Sequence, residues 1–220
     1  MGVIIINFKA YEEGFGSKGL GLAKIVEEVA KKVDDYIAIA STSLDLQRFV
    51  NELSIDVYSQ HVDAVGFGSH TGRINAEMIK EVGAKGSLIN HSERRLKLAD
   101  IDFIVDKFKE LGLTSVVCTN NITTTAAAAA LQPDYVAIEP PELIGSGIPV
   151  SKAEPEIVEN SVKAAKDVYP KINVLCGAGI SKHEDYVTAL DLGAEGVLLA
   201  SGVVKAKDPK EALEELVGLR

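Results

Sequence analysis

The sequence predicts an α/β fold: a closed (β/α)8 barrel formed by residues 1–220 as one domain. Three observations carry this. Eight short runs rich in β-branched residues alternate down the chain with longer helical stretches or long loops. These runs are apolar on both faces, the pattern of parallel strands covered by helices. No Pro/Ser/Gly-rich linker or charge block divides the chain, and barrels commonly exceed ~200 residues as one unit. A doubly wound sheet with fewer strands is the alternative, and eight strand signals favour closure.

The elements follow in order. Strand-like runs fall at Val3–Asn7, Tyr36–Ala40, Asp56–Ser59, Gly86–Ile89, Thr114–Cys118, Tyr135–Ile138, Ile172–Cys176 and Glu195–Leu199. Helical stretches fall at Gly19–Lys32, Asp102–Leu111, Pro155–Val168, His183–Leu192 and Pro209–Leu219. In the third of these, Ile157, Val158, Ser161, Val162, Ala165 and Val168 recur near the 3.6-residue period of an amphipathic helix. Ala126–Ala130 also reads as helix, since alanine is the best helix former. Ser181 followed by Glu184 predicts a capping box, and Gly112 and Gly193 predict left-handed helix stops.

Composition narrows the function. Apolar residues make up 46%, tryptophan is absent and aromatics are only 5%, so the core must be aliphatic. The formal charge of −9 disfavours nucleic acid and anionic membrane as partners. An anionic substrate would need a local positive spot against that field. No basic segment with a following apolar stretch suggests a signal peptide, and Ile6 stands where a myristoylation signal needs Ser or Thr. No apolar run approaches the ~18 residues of a membrane span, so a cytoplasmic protein is expected. Cys118 and Cys176 each end a strand-like run. Two reduced core thiols suit that compartment, although a disulfide is not excluded by sequence.

In such a barrel the working residues sit where strands end. The first strand delivers Asn7-Phe8-Lys9, the fourth Asn90-His91-Ser92-Glu93, and the sixth Glu139. Each alone has a structural reading: a surface lysine, a core histidine, a carboxylate that neutralises an arginine. Together, a cation, an imidazole and a carboxylate converge on one rim. Glycine-rich loops follow strands seven and eight, where barrel phosphate sites usually lie.

These residues carry a resemblance. Asn7-Phe8-Lys9, Gln60 with Gly68-Ser69-His70-Thr71-Gly72, the His91–Arg95 block, Glu139–Gly147 and Cys176–Ser181 stand in the order of the triosephosphate isomerase family. The chain resembles the short archaeal form of that family most. Asn90 stands where most members have glycine, the lid reads Pro-Pro-Glu-Leu, and the chain is shorter than the commoner form.

The resemblance implies a TIM barrel and an isomerase of glycolysis and gluconeogenesis. Its substrates would be dihydroxyacetone phosphate and D-glyceraldehyde 3-phosphate, interconverted through an enediolate without cofactor or metal. Glu139 would be the base, a neutral His91 the carrier of protons between the two oxygens, and Lys9 the oxyanion's cation. A helix N-terminus at Ser92-Glu93 would disfavour a charged imidazole. Glu93 would hold Lys9, and Ser92 would be a resting partner of Glu139. Substrate contacts would come from Asn7, which can donate a hydrogen bond beside the oxyanion, from Phe8 and Lys9, and from Ile144, Gly145, Gly179, Ala200 and Ser201. The segment Pro140–Pro149 would close as a lid that guards the enediolate. The Gly66–Ile74 loop, inserted beside a partner's site, implies a homo-oligomer, a tetramer before a dimer.

Two rivals are weaker. A Schiff-base aldolase needs a lysine inside a strand core, and none of the eight runs has one. A silent sugar-phosphate binder could have lost Lys9, His91 or Glu139, and all three are present.

Overall fold

The computed structural model describes residues 1–140, 149 and 153–220. Eight parallel strands close on themselves in sequence order. They are β1 (Val3–Asn7), β2 (Tyr36–Ser41), β3 (Val57–Ser59), β4 (Gly86–Ile89), β5 (Thr114–Thr119), β6 (Tyr135–Ile138), β7 (Asn173–Cys176) and β8 (Gly196–Leu199). Closure is made by β8 beside β1, with Ile4 opposite Val197 and Ile6 opposite Leu199. Every strand falls within one residue of its predicted span.

The helices are α1 (Gly16–Ala30), α2 (Leu46–Glu52), α3 (Ala76–Glu81), α4 (Leu98–Leu111), α5 (Ile122–Ala129), α6 (Pro155–Val168), α7 (His183–Asp191), α8 (Ser201–Val204) and α9 (Pro209–Leu216). Gly112 and Gly193 end their helices at φ 65° and 92°, as predicted. The cap of α7 differs from expectation. Lys182 occupies the cap position, and the Asp185 carboxylate, rather than that of Glu184, accepts the N–H groups of Ser181 and Lys182 at 3.2 and 3.0 Å. Ser181 donates there instead of accepting. No described helix is long and apolar enough to cross a membrane.

The strand pleat sorts side chains into two layers. Ile5, Ala38, Leu88, Val116, Ala137, Leu175 and Leu198 fill the barrel interior. Their neighbours Ile4, Ile6, Ile39, Ile89, Val117, Ile138 and Val197 pack outward against the helices. Cys118 and Cys176 are free and buried. This alternation, carried one step past the strand ends, determines which side chains reach the barrel mouth.

Candidate active site

Beyond β1 the inward face continues from Ile5 to Asn7 and Lys9, and beyond β6 from Ala137 to Glu139. Asn7, Lys9 and Glu139 line one cleft. Asn7, Lys9 and His91 line an adjoining one. Phe8 falls on the other face of the pleat. It is fully buried and meets Phe49 edge-on at 6.2 Å, so it packs the barrel wall and does not reach the cleft.

Lys9 has a left-handed backbone, φ 49°, which is unfavourable for a residue with a Cβ. Its neighbours hold it there. The Asn7 amide oxygen accepts the Lys9 N–H at 2.9 Å, and the Gln60 amide donates to the carbonyls of Lys9 and Ala40 at 3.0 and 3.1 Å. Asn7 thus uses its oxygen on the backbone, and only its NH2 group is left to donate into the cleft. The Lys9 ammonium meets Glu93 at 2.9 Å, as the resemblance implied. Gln60 received no role from the sequence, yet it follows β3 just as the reactive residues follow their strands.

His91 lies in a turn, not at a helix N-terminus. The Arg94 N–H donates to the His91 carbonyl at 2.8 Å, and α4 begins only at Leu98. The turn supplies the contact expected of a helix end, because the Glu93 N–H donates to His91 Nδ1 at 3.2 Å. An accepting Nδ1 carries no proton, which assigns the ring proton to Nε2. Nε2 faces Glu139 Oε2 at 3.5 Å. Both atoms are buried, and neither has a hydrogen-bond partner among the described residues.

Burial pushes the Glu139 carboxyl above the ordinary glutamate range, and the nearby His91 and Lys9 offset part of that rise. The neighbouring Cys118 thiol also favours the ionised form. Among the described residues no hydrogen bond joins Ser92 to Glu139, and Glu139 Oε2 faces the His91 imidazole instead. Gly177 lets the end of β7 pack against Glu139: a Cβ there would lie 2.6 Å from the Leu198 carbonyl and 3.1 Å from Glu139 Cγ.

Gly179, Ala200 and Ser201 line the same cleft as Lys9 and Glu139. Ser201 opens α8, and first-turn N–H groups of a helix have no partner within it. Tyr11, which sequence reasoning missed, lines the same cleft beneath Lys205, whose ammonium sits 4.6 Å from the ring centroid. Ile144, Gly145 and most of the proposed lid lie outside the described residues. Among the described residues no group of three or more His, Cys, Asp and Glu side chains is placed to hold a metal ion.

Comparison with known proteins agrees with this geometry. The family model for triosephosphate isomerase matches residues 2–217. The triosephosphate isomerase of Archaeoglobus fulgidus is 76% identical over 219 residues, covering 100% of this chain and 98% of that protein. That of Methanocaldococcus jannaschii is 58% identical over 215 residues, covering 98% of each. A crystal structure of triosephosphate isomerase from Bartonella henselae matches at a TM-score of 0.78 and 21% identity, covering 100% of this chain and 99% of that one, which supports the fold. The barrel, the convergent side chains and these relatives together make this chain a member of the triosephosphate isomerase family.

Proposed function

We propose that Glu139, His91 and Lys9 divide the chemistry of the isomerisation among them. The chain interconverts dihydroxyacetone phosphate and D-glyceraldehyde 3-phosphate, a reaction of glycolysis and gluconeogenesis. The observation that carries the assignment is the pair of unpartnered buried atoms, His91 Nε2 and Glu139 Oε2, 3.5 Å apart at the mouth of the barrel. Leaving such atoms unpaired costs ~1–3 kcal/mol each, a penalty that substrate relieves by meeting both.

In this reading the Glu139 carboxylate removes a proton from the hydroxymethyl carbon next to the carbonyl. The electron pair moves into the new C–C double bond and the carbonyl becomes an oxyanion. His91 Nε2–H donates to that oxygen, and the ring shuttles a proton between the two oxygens. Lys9 offsets the negative charge. Glu139 then returns its proton to the neighbouring carbon. Its desolvated carboxyl binds a proton more tightly than one in water, which suits a base that must deprotonate carbon.

The phosphate is held by backbone N–H groups around Gly179, Ala200 and Ser201, with Lys9 as the nearby cation in a chain of net charge −9. The whole chain acts as a single catalytic domain in the cytoplasm, as a homo-oligomer and in the tetrameric state. Exposed Phe67, in the Gly66–Ile74 loop, and exposed Leu44 supply apolar surface for that assembly. Lys9→Met tests the assignment in a coupled assay. Loss of the ammonium should lower kcat/KM by at least ~10²-fold, the scale of removing one group that stabilises an oxyanion. Turnover within a factor of about two of the parent would remove Lys9 from the reaction.

A further inference from the structure

We propose that Asn90 is a positioning residue for His91: its side-chain amide staples the turn that aims the imidazole at Glu139. The inference rests on His91 acting at the substrate oxygens, as read above. It begins with the pleat of β4. Leu88 faces the barrel interior and Ile89 faces the helices. Continued regularly, that alternation would send the side chain of residue 91 outward beside Ile89. Asn90 breaks it, with φ at 62°. One left-handed residue ends the strand, and His91 arrives 3.5 Å from Glu139 instead of in the wall. Asparagine tolerates this backbone better than most side chains do, and it also brings an amide that glycine lacks.

Both ends of that amide are used. Its oxygen accepts the Leu96 N–H at 2.9 Å, closing a loop that contains the turn bearing the imidazole. Inside the loop, the Glu93 N–H binds His91 Nδ1 and the Arg94 N–H binds the His91 carbonyl. The Asn90 NH2 donates to the Cys118 carbonyl at 3.0 Å. The β4–β5 ladder ends at Ile89 opposite Val117, so Cys118 lies one residue past it and its carbonyl has lost its strand partner. The amide therefore replaces a ladder bond and ties the loop to β5, whose Thr119 carbonyl accepts the Glu139 N–H at 2.9 Å. The Asn90 carbonyl is taken in turn by Arg95 at 3.0 Å. Base and imidazole are thereby referenced to the same strand.

The test separates the backbone from the amide. Asn90→Gly keeps the left-handed turn and removes both amide bonds, whereas Asn90→Ala removes the bonds and strains the turn. Asn90→Asp keeps an acceptor for Leu96 but cannot donate to Cys118. Steady-state kinetics on the folded variants should show kcat about tenfold lower in Asn90→Gly with KM within about twofold, the mark of a misaimed group and not of lost binding. Asn90→Ala should be no better, and Asn90→Asp should also lose turnover. Imidazole ¹⁵N spectra should show His91 no longer in a single tautomer in Asn90→Gly. A wild-type kcat in Asn90→Gly or Asn90→Asp would overturn the proposal, as would a KM that rises in step with the fall in kcat. His91→Gln, measured alongside, keeps the two readings apart. If it alone turns over like the parent, the role of His91 fails. If it is impaired while Asn90→Gly is not, only the role of Asn90 fails.

Discussion

Burial of Glu139 has opposite consequences for activity and for stability. Its folded carboxyl is raised by desolvation, with His91 and Lys9 pulling it partly back. If Glu139 is the base proposed above, activity needs its ionised form, so kcat/KM should rise with pH through a value above the ~4.3 of an ordinary glutamate. Stability runs the other way. Protonated Glu139 sits comfortably in the folded site, so nothing is lost below the unfolded pKa, and stability falls as pH rises through the raised folded pKa. Glu139→Gln, similar in size but uncharged, should therefore melt higher than the parent at pH 7 and lose that margin near pH ~4, where the parent's carboxyl is protonated as well. Thermal melts at both pH values check this, and equal melting temperatures at pH 7 would contradict it. The meeting of Lys9, His91 and Glu139 at the barrel mouth was legible because residue types that do chemistry at strand ends are visible in a sequence. Phe8, expected among the substrate contacts, adjoins Asn7 in sequence, but its side chain faces the opposite side of the pleat. The hold of Gln60 on Lys9 and the left-handed turn at Asn90 were not legible, since the sign of φ at a non-glycine residue leaves no trace in composition or periodicity.

Among elements, the connection between β3 and α3 is tied at its base by Asp63. The Asp63 N–H donates to the Ile74 carbonyl at 2.7 Å, and its carboxylate accepts the Ile74 N–H at 2.8 Å. Arg73 adds a bond at 2.7 Å, and His61 faces the same oxygen at 3.2 Å. Burial alone would raise this carboxyl, but the Ile74 N–H, Arg73 and His61 overcome it and hold the pKa at about 2. A depressed carboxyl stabilises the fold above its unfolded value, and that contribution disappears as pH falls from ~3.9 towards 2. Asp63→Asn should cost about 2 kcal/mol at pH 7, within the range for bonds to a buried charge. Calorimetry should show a drop of ~4–8 °C for a chain of this size. A deficit that persisted undiminished at pH 2 would assign the loss to packing. The sequence did not disclose this anchor, because Asp63 reads as an ordinary loop aspartate. Nor did it disclose α2 and α3, whose 7 and 6 residues are too short to establish a period. The strands and longer helices were legible because continuous apolar runs, a sustained 3.6 period and terminal glycines each act locally. The turn after β4 was mistaken for a helix start because Ser92-Glu93 resembles a cap, while the Asn90 side chain takes the Leu96 N–H and delays the helix to Leu98.

At the scale of the whole molecule, Phe67 is 72% exposed and Leu44 82%, large apolar side chains left in water by the isolated barrel. Assembly would cover such surface, and sedimentation should show an active species near four times the 23.4 kDa chain. An active 23.4 kDa monomer would exclude the oligomer.

In the proposed mechanism the barrel holds one carboxylate at a fixed distance from a carbon atom, and Glu139→Asp tests this most directly. The substitution keeps the charge, the strand and the phosphate contacts, but withdraws the carboxylate by one methylene, about 1 Å. A misplacement of that size costs on the order of 10²-fold in rate. In the coupled isomerase assay kcat should fall by about that factor while KM changes little, because the interaction lost is one made in the transition state. A Glu139→Asp variant that turns over like the parent would show that Glu139 is not the base.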